Sequence, residues 1–325
     1  MKGILVVDLF SGAGGFSRGF KDCGFSIALA VDNDDACGRS YKLNFPEAIV
    51  LVEDIRDVTG KDILYMLGTK PHVVIGSPPC EPFTGANPKR ETEPLDRLYK
   101  DPMGSLTLEF IRIVGEIQPR IFILENVPAI MEGPLKDALV KEFKSVGYHK
   151  VFFNILRAEG YGTPSHRKRV FISNVPITPS KERRKRVSVW EALKDLPPPG
   201  MGGVPNHDAL PISDRKLRRI VKLKPGSAMY YYEGAERKRL PNFIRLKPDS
   251  IAPTVLGSSR FIHPFENRLL TVREQARLMG FPDDHIFVGG RDQQYNQVGE
   301  AVPPPLARAI ARFIKERYSD LLLSS

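Results

Sequence analysis

The feature that constrains this chain most is a short apolar run, Ile4–Leu9, that passes without a linker into Asp8-Leu9-Phe10-Ser11-Gly12-Ala13-Gly14-Gly15-Phe16. A run of this length reads as a buried strand. Glycines directly after it let the backbone turn tightly and approach a ligand at the start of a following helix. The pattern continues through the first half. Ser26–Val31, Val73–Gly76, Ile121–Leu124, Val151–Leu156 and Val170–Ser173 read as further buried strands, and Gly15–Cys23, Leu106–Ile117 and Leu135–Val146 have helical spacing. Strand–helix alternation predicts an α/β fold with a doubly wound, mostly parallel sheet and helices on both faces.

The alternation stops near Pro176. After it come the basic run Lys181–Arg186, the Pro/Gly-rich Pro197–Pro205 and the basic stretch Arg215–Lys224. Helix-like order returns at Thr271–Phe281, and Pro304–Tyr318 reads as a closing helix with its prolines in the first turn, where they are tolerated. With 325 residues, about two domains are expected. We assign 1–177 plus 286–325 to a catalytic and cofactor-binding domain and 178–285 to a second, smaller one. Of the net charge of +10, the segment 178–285 holds +9, from 21 Lys and Arg against 12 Asp and Glu. An excess confined to one segment beside a near-neutral remainder points to a polyanionic partner.

Cys23, Cys37 and Cys80 form no CxxC pair and are odd in number, which argues against a disulfide framework or a zinc site and for a reducing compartment. No metal is expected. No stretch approaches the ~20 apolar residues of a membrane span, and Ile4–Leu9 is too short for a signal-peptide core. A cytoplasmic protein without a membrane partner is expected.

Two constellations carry chemistry. Around the glycine turn, Asp32 ends the second strand about twenty residues on, where an acid can take a ribose hydroxyl pair. Asp54-Ile55 follows a third strand, in reach of an adenine edge. This part predicts a nucleoside cofactor without separating S-adenosylmethionine from a dinucleotide. The second constellation starts at Val73–Gly76, which leads into Ser77-Pro78-Pro79-Cys80-Glu81-Pro82-Phe83-Thr84. The prolines fix a turn at the strand's C-terminal edge, where sheets of this class place ligands, so Cys80 projects from a rigid platform. A lone cysteine is more often structural; polar turn residues around this one favour a reactive thiol. The next strand ends in Glu125-Asn126-Val127, and Arg167 and Arg169 precede another, so an acid and two guanidinium groups are expected near Cys80.

With these motifs in this order, the chain resembles the DNA cytosine-5 methyltransferase family over essentially its whole length. Phe10–Gly15 matches the cofactor motif, Pro78-Pro79-Cys80 the nucleophile motif, Glu125-Asn126-Val127 the cytosine-binding acid, and Arg167 and Arg169 the paired arginines. Arg268–Pro282 matches the segment bracing the recognition domain, and Gln297–Pro304 the last cofactor motif. The resemblance implies a Rossmann-like S-adenosylmethionine-dependent methyltransferase with a target-recognition domain. It implies Cys80, Glu125, Arg167 and Arg169 as catalytic residues, and Asp8, Phe10, Gly12, Gly14, Gly15, Asp32, Asn33, Asp54, Ile55, Pro79, Glu300, Ala301 and Val302 as the cofactor set. Three positions depart from the family: Glu81 and Ser165 stand where Gln is usual, and Glu300 where Asn is usual. The last lies beside the cofactor, where its charge would be costly without the sulfonium unless a cation such as Arg308 pairs with it.

The implied chemistry is addition of Cys80 to C6 of cytosine, which turns C5 into an enamine carbon able to attack the sulfonium methyl. Glu125, protonated or sharing a proton with ring N3, steadies the adduct; Arg167 positions O2 and favours the Cys80 thiolate; Arg169 braces Glu125 or the loop. The base must be flipped out of duplex DNA. The polar segment Glu81–Gly104 suits a loop that closes over it, and Thr254 matches a family position near the base's vacated place. The implied partners are duplex DNA and, in a restriction-modification setting, a cognate restriction endonuclease encoded nearby; a monomer is expected. Three other readings are weighed. An amino-methyltransferase needs no thiol at the Pro-Pro turn. A tRNA-directed relative fits the Pro-Phe-Thr after the nucleophile but not the basic segment. A catalytically dead relative is at odds with the complete Cys80, Glu125, Arg167 and Arg169 set.

Overall fold

The computed structural model describes residues 3–181 and 186–323, so most of the basic run Lys181–Arg186 lies outside the described residues. Seven strands build the main sheet: β1 (Leu5–Leu9), β2 (Ser26–Asp32), β3 (Ile49–Val52), β4 (Val73–Gly76), β5 (Ile121–Asn126), β6 (Phe152–Arg157) and β7 (Lys168–Ser173). Their order is β3-β2-β1-β4-β5-β7-β6. The pairs from β3 through β5 are parallel, and β7 alone runs against its neighbours.

The central strands are apolar on both faces because both are covered, as parallel sheets require, whereas the edge strands β3 and β6 are partly exposed, so Val151–Leu156 is not the fully buried strand expected. Alternation sorts the side chains. Val6, Val73, Ile75, Ile121 and Ile123 enter one core, closed by α1 (Gly15–Lys21), α2 (Asp35–Asn44) and the late helix Pro304–Arg317. Val7, Leu9, Val74, Phe122 and Leu124 enter the other, closed by α3 (Gly60–Leu67), α4 (Pro94–Tyr99), α5 (Leu106–Ile117) and α6 (Leu135–Ser145). This is the doubly wound α/β arrangement the alternation predicts, and the expected elements of the first half form at their expected places.

Beyond the sheet lie α7 (Val189–Leu193), α8 (Asp214–Ile220), a hairpin of β8 (Ala228–Glu233) and β9 (Arg239–Ile244), α9 (Val272–Leu278), α10 (Arg291–Glu300), α11 (Pro304–Arg317) and α12 (Ser319–Leu323). A third core joins α7, α9 and α10 through Val189, Leu193, Val272, Phe287 and Val298, drawing on residues either side of position 285. A small fourth core, Ile220, Met229, Ile262 and Leu269, holds α8 against the hairpin.

This module carries the charge. Residues 214–247 hold 11 Lys and Arg against 3 Asp and Glu, so +8 of the segment's +9 sits here. Outside it, several arginines of 178–285 are structural. Arg273 is buried and donates to the carbonyls of Pro205, Pro282 and His285. Arg268 bridges Glu266 and Glu274, Arg277 bridges Asp195 and Asp283, and Arg260 pairs with Asp292. No described helix is long and apolar enough to cross a membrane.

Candidate active site

Strand order reverses at β1, which lies between β2 and β4, and such switch points open a crevice at the carboxyl ends of the strands. The candidate residues are the continuations of four neighbouring strands into it: the glycine turn after β1, Asp32 closing β2, Cys80 after β4, and Glu125-Asn126 closing β5.

The glycine turn is conformationally demanding. Phe10 (φ +57°), Gly12 (φ +52°) and Gly14 (φ +88°) are all left-handed, a region bulky residues rarely occupy and one that marks functional turns. The Gly12 N–H donates to Asp32 Oδ2 at 2.7 Å, tying β1's turn to the end of β2. A side chain at Gly15 would place Cβ 2.5 Å from the Val302 carbonyl and 2.9 Å from Ala301 Cβ, so the last motif packs directly on the first. Beneath, Asp8 is fully buried. Its Oδ2 accepts from Ser17 Oγ at 2.6 Å, and Oδ1 has no partner.

The pocket is acidic. Burial pushes Asp8 up to about 7, with Asp32 adding repulsion. Burial also raises Asp32. Glu300 is lifted to about 7, first by loss of water around it and then by Glu81 and Asp32. Glu300 makes no ion pair with Arg308 or any other cation among the described residues. Carboxyl groups crowded together resist ionising side by side; a bound cation relieves that repulsion, whereas an anionic dinucleotide adds to it. The donor set therefore fits a cationic nucleoside such as S-adenosylmethionine, which the glycine turn alone could not select. Asp54 and Ile55 follow edge strand β3, two strands from β1. Asp54 is held down to about 2 by its hydrogen bond from Arg56, and Ile55 is buried in the core. Asn33 is exposed and Pro79 half-buried.

Cys80 is half-buried, and its carbonyl accepts from the N–H groups of Phe83 and Thr84, both at 3.0 Å, which locks the turn. Asn126 Nδ2 donates to the Pro78 carbonyl at 3.2 Å. This support was absent from the sequence reading, though Asn126 stands inside the Glu125-Asn126-Val127 motif. Because β7 is antiparallel to β5 with Glu125 opposite Phe171, Arg169 lies two residues along on the same face. Arg169 Nε is 2.9 Å from Glu125 Oε1, both groups buried. Burial nonetheless raises Glu125, against the pull of Arg169 and Arg167, and so favours its protonated form.

Arg167 makes contacts that the motif did not announce. Its guanidinium donates to the carbonyls of Val255 at 3.0 Å, Gly299 at 2.9 Å and Glu300 at 3.3 Å. Burial lowers it to about 9. It therefore stitches the segment around Thr254 to the last motif. Burial raises the Cys80 thiol, Arg169 is the stronger of the two opposing cations, and Arg167 is the weaker. Ser165 is also explained: its buried hydroxyl donates to the Leu278 carbonyl at 2.7 Å, joining the arginine motif to α9. A further support escaped the sequence reading. His285, buried among Phe45, Phe281 and Phe287 and pushed down to about 3 by burial, is neutral, and its Nε2 lies 2.8 Å from the Ala13 carbonyl of the glycine turn.

The sequence pattern of C-5 cytosine-specific DNA methylases matches residues 4–316. The chain belongs to that family. A Methanocaldococcus jannaschii protein assigned as a type II methyltransferase, M.MJ0563P, is 51% identical over 96% of this chain and 99% of its own length. The type II methyltransferase M.DdeI of Desulfomicrobium norvegicum is 34% identical over 98% of this chain and 90% of its own. In fold, the methylase is similar to a protein encoded within an E. coli prophage, with a TM-score of 0.78 at 24% identity, covering 97% of this chain and 99% of that one. The methylase is thus a Rossmann-like α/β enzyme of a family that methylates cytosine in DNA with S-adenosylmethionine as donor.

Proposed function

We propose that this methylase transfers a methyl group from S-adenosylmethionine to C5 of cytosine at a short specific sequence in duplex DNA, with Cys80 adding to C6 of a flipped-out base. One observation carries the reading: a thiol on a locked turn, a buried acid and a guanidinium in contact with that acid converge at the mouth of an acidic cofactor pocket.

On this reading Asp32, the glycine turn and the Glu300–Val302 segment hold the cofactor, which supplies an electrophilic methyl carbon. Cys80 loses its proton and forms the S–C6 bond, and the electron pair of the C5–C6 double bond becomes available at C5. Glu125, whose protonated form burial favours, donates to N3 and takes up the charge that develops on the ring. Arg169 holds Glu125 in place and is the cation that most favours the thiolate. Once C5 carries the methyl group, loss of its proton and breaking of the S–C6 bond restore the aromatic ring and the free thiol. Arg167 acts structurally, through the carbonyls it gathers. A base inside a duplex is out of reach of these groups, so it is flipped.

Segment 178–285 is the target-recognition domain, with phosphate contacts concentrated on α8 and the β8–β9 hairpin. The enzyme acts in the cytoplasm as a monomer. A cognate restriction endonuclease encoded nearby is supported by the type II relatives.

Bisulfite sequencing of DNA from cells expressing the protein identifies the target site. A duplex carrying 5-fluorocytosine there traps the enzyme covalently in the presence of S-adenosylmethionine, because loss of the C5 proton is blocked. Cys80→Ala abolishes the adduct. A protein that methylates this DNA yet never forms the adduct sinks the mechanism, and N4-methylcytosine as product selects the amino-methyltransferase reading instead.

A further inference from the structure

The β8–β9 turn meets the loop that follows Cys80. Within the turn, Gly234 N–H donates to the Lys238 carbonyl at 2.8 Å and Lys238 N–H to the Ala235 carbonyl at 3.2 Å. Its two central residues, Glu236 (φ +57°) and Arg237 (φ +58°), are left-handed. That is the twist a tight hairpin needs, but Asn-Gly satisfies it at far lower conformational cost than Glu-Arg. The turn is thus strained, and its contacts lie on the catalytic side. Ala235 N–H donates to the Gly85 carbonyl at 3.0 Å, and Glu236 Oε1 is 2.8 Å from Arg90. The approach is so close that a Cβ on Gly234 would lie 2.6 Å from the Gly85 carbonyl.

The contacts continue inward. Arg90 donates to the Phe83 carbonyl at 3.2 Å and lies 3.5 Å from Glu132, which also binds Arg97 at 2.7 Å. Buried Arg97 donates to the carbonyls of Glu91 and Thr92. A continuous set of contacts therefore runs from the basic hairpin through the loop after Cys80 to the segment after β5. The loop is not an independent surface feature; it is gripped at Gly85 and Arg90.

We propose that the β8–β9 turn positions the catalytic loop, with Ala235 and Glu236 holding Gly85 and Arg90 so that Cys80 is set for attack only while the basic module is docked against its loop. Ala235, Glu236 and Arg90 are positioning residues, and the proposal rests on the Cys80 reading above. Small misplacements of a reacting group cost rate far more than they cost binding.

The test is the rate of covalent trapping on a 5-fluorocytosine duplex, measured with saturating DNA and S-adenosylmethionine, for wild type, Gly234→Ala, Glu236→Lys and Glu236→Asp. Absence of an adduct in wild type refutes the Cys80 reading and says nothing for the turn. With wild type trapping, Gly234→Ala and Glu236→Lys are expected to slow the adduct about tenfold or more. Glu236→Asp should retain most of the rate, and cofactor affinity should stay within about twofold in every variant; Glu236→Lys, which adds positive charge to a phosphate-facing hairpin, should bind DNA at least as tightly as wild type. Amide exchange is expected to quicken in 83–91 and to be unchanged in β1, β4 and β5. A Glu236→Lys protein that traps at the wild-type rate overturns the proposal, whatever Gly234→Ala does to the hairpin's own folding. So does a defect that appears only in DNA affinity and vanishes at saturation.

Discussion

Replacing Glu300 with Gln removes one charge from the cofactor pocket and leaves its size. Although solvent reaches the Glu300 side chain, the pocket wall and the neighbouring Glu81 and Asp32 push its carboxyl up to about 7, with Arg167 pulling the other way. The free protein therefore carries Glu300 about one-tenth ionised at pH 6 and about nine-tenths at pH 8. A sulfonium interacts favourably with the ionised form and lowers its pKa. Affinity for S-adenosylmethionine should thus rise with pH through the neutral range. Full coupling gives about ninefold between pH 6 and 8, near ~1.3 kcal/mol. Solvent screening of a partly exposed group reduces this to roughly three- to sevenfold. S-adenosylhomocysteine lacks the sulfonium and should show a weaker slope. Calorimetric titration of both compounds at pH 6, 7 and 8 reads the effect. In wild type, binding below pH 7 should release protons, seen as a dependence of the enthalpy on buffer. Because Asp8 also sits near 7, the comparison that isolates Glu300 is wild type against Glu300→Gln. The substitution should flatten the slope and bring the two affinities closer together at pH 8. If the ratio of the two affinities is the same in both proteins at pH 8, Glu300 does not read the sulfonium and the reasoning is wrong.

Two further predictions follow from charge and burial. Exposed Arg215, Arg218 and Lys222 lie on or just after α8, whereas Arg219 stacks on Tyr230 at 4.3 Å and donates to the Met229 carbonyl. DNA affinity should therefore fall by orders of magnitude between ~50 and ~200 mM salt, and the triple alanine variant Arg215, Arg218 and Lys222 should lower the log–log salt slope by roughly 2.7 without changing cofactor affinity; an unchanged slope removes α8 from the DNA face. Burial raises the Cys80 thiol above its ordinary range, so its alkylation by iodoacetamide in the free protein, followed by mass spectrometry of the Cys80 peptide, should be slow at pH 7 and accelerate through pH 9 and above; rapid, pH-independent alkylation at pH 7 would mean a preformed thiolate.

The amino-acid sequence alone determined the local pieces. Short apolar runs bounded by turn residues read as strands, the glycines after Leu9 as a tight turn, and two prolines before Cys80 set that thiol at a strand's end. Burial demand and backbone freedom are properties of a few adjacent residues, so they can be read there. Which strand ends meet is a property of long-range pairing. The order β3-β2-β1-β4-β5-β7-β6 brings the glycine turn, Cys80 and Glu125 to one crevice, and the reversal of β7 lays Arg169 beside Glu125. Charge shows the same division. The excess in 178–285 was countable, but only tertiary contacts separate Arg273, buried against three carbonyls, from Arg218, exposed on α8. The two paired arginines are alike in the sequence. Folding sends Arg169 to an acid and Arg167 to backbone carbonyls, because a side chain's role depends on the partners that distant segments bring within hydrogen-bond reach.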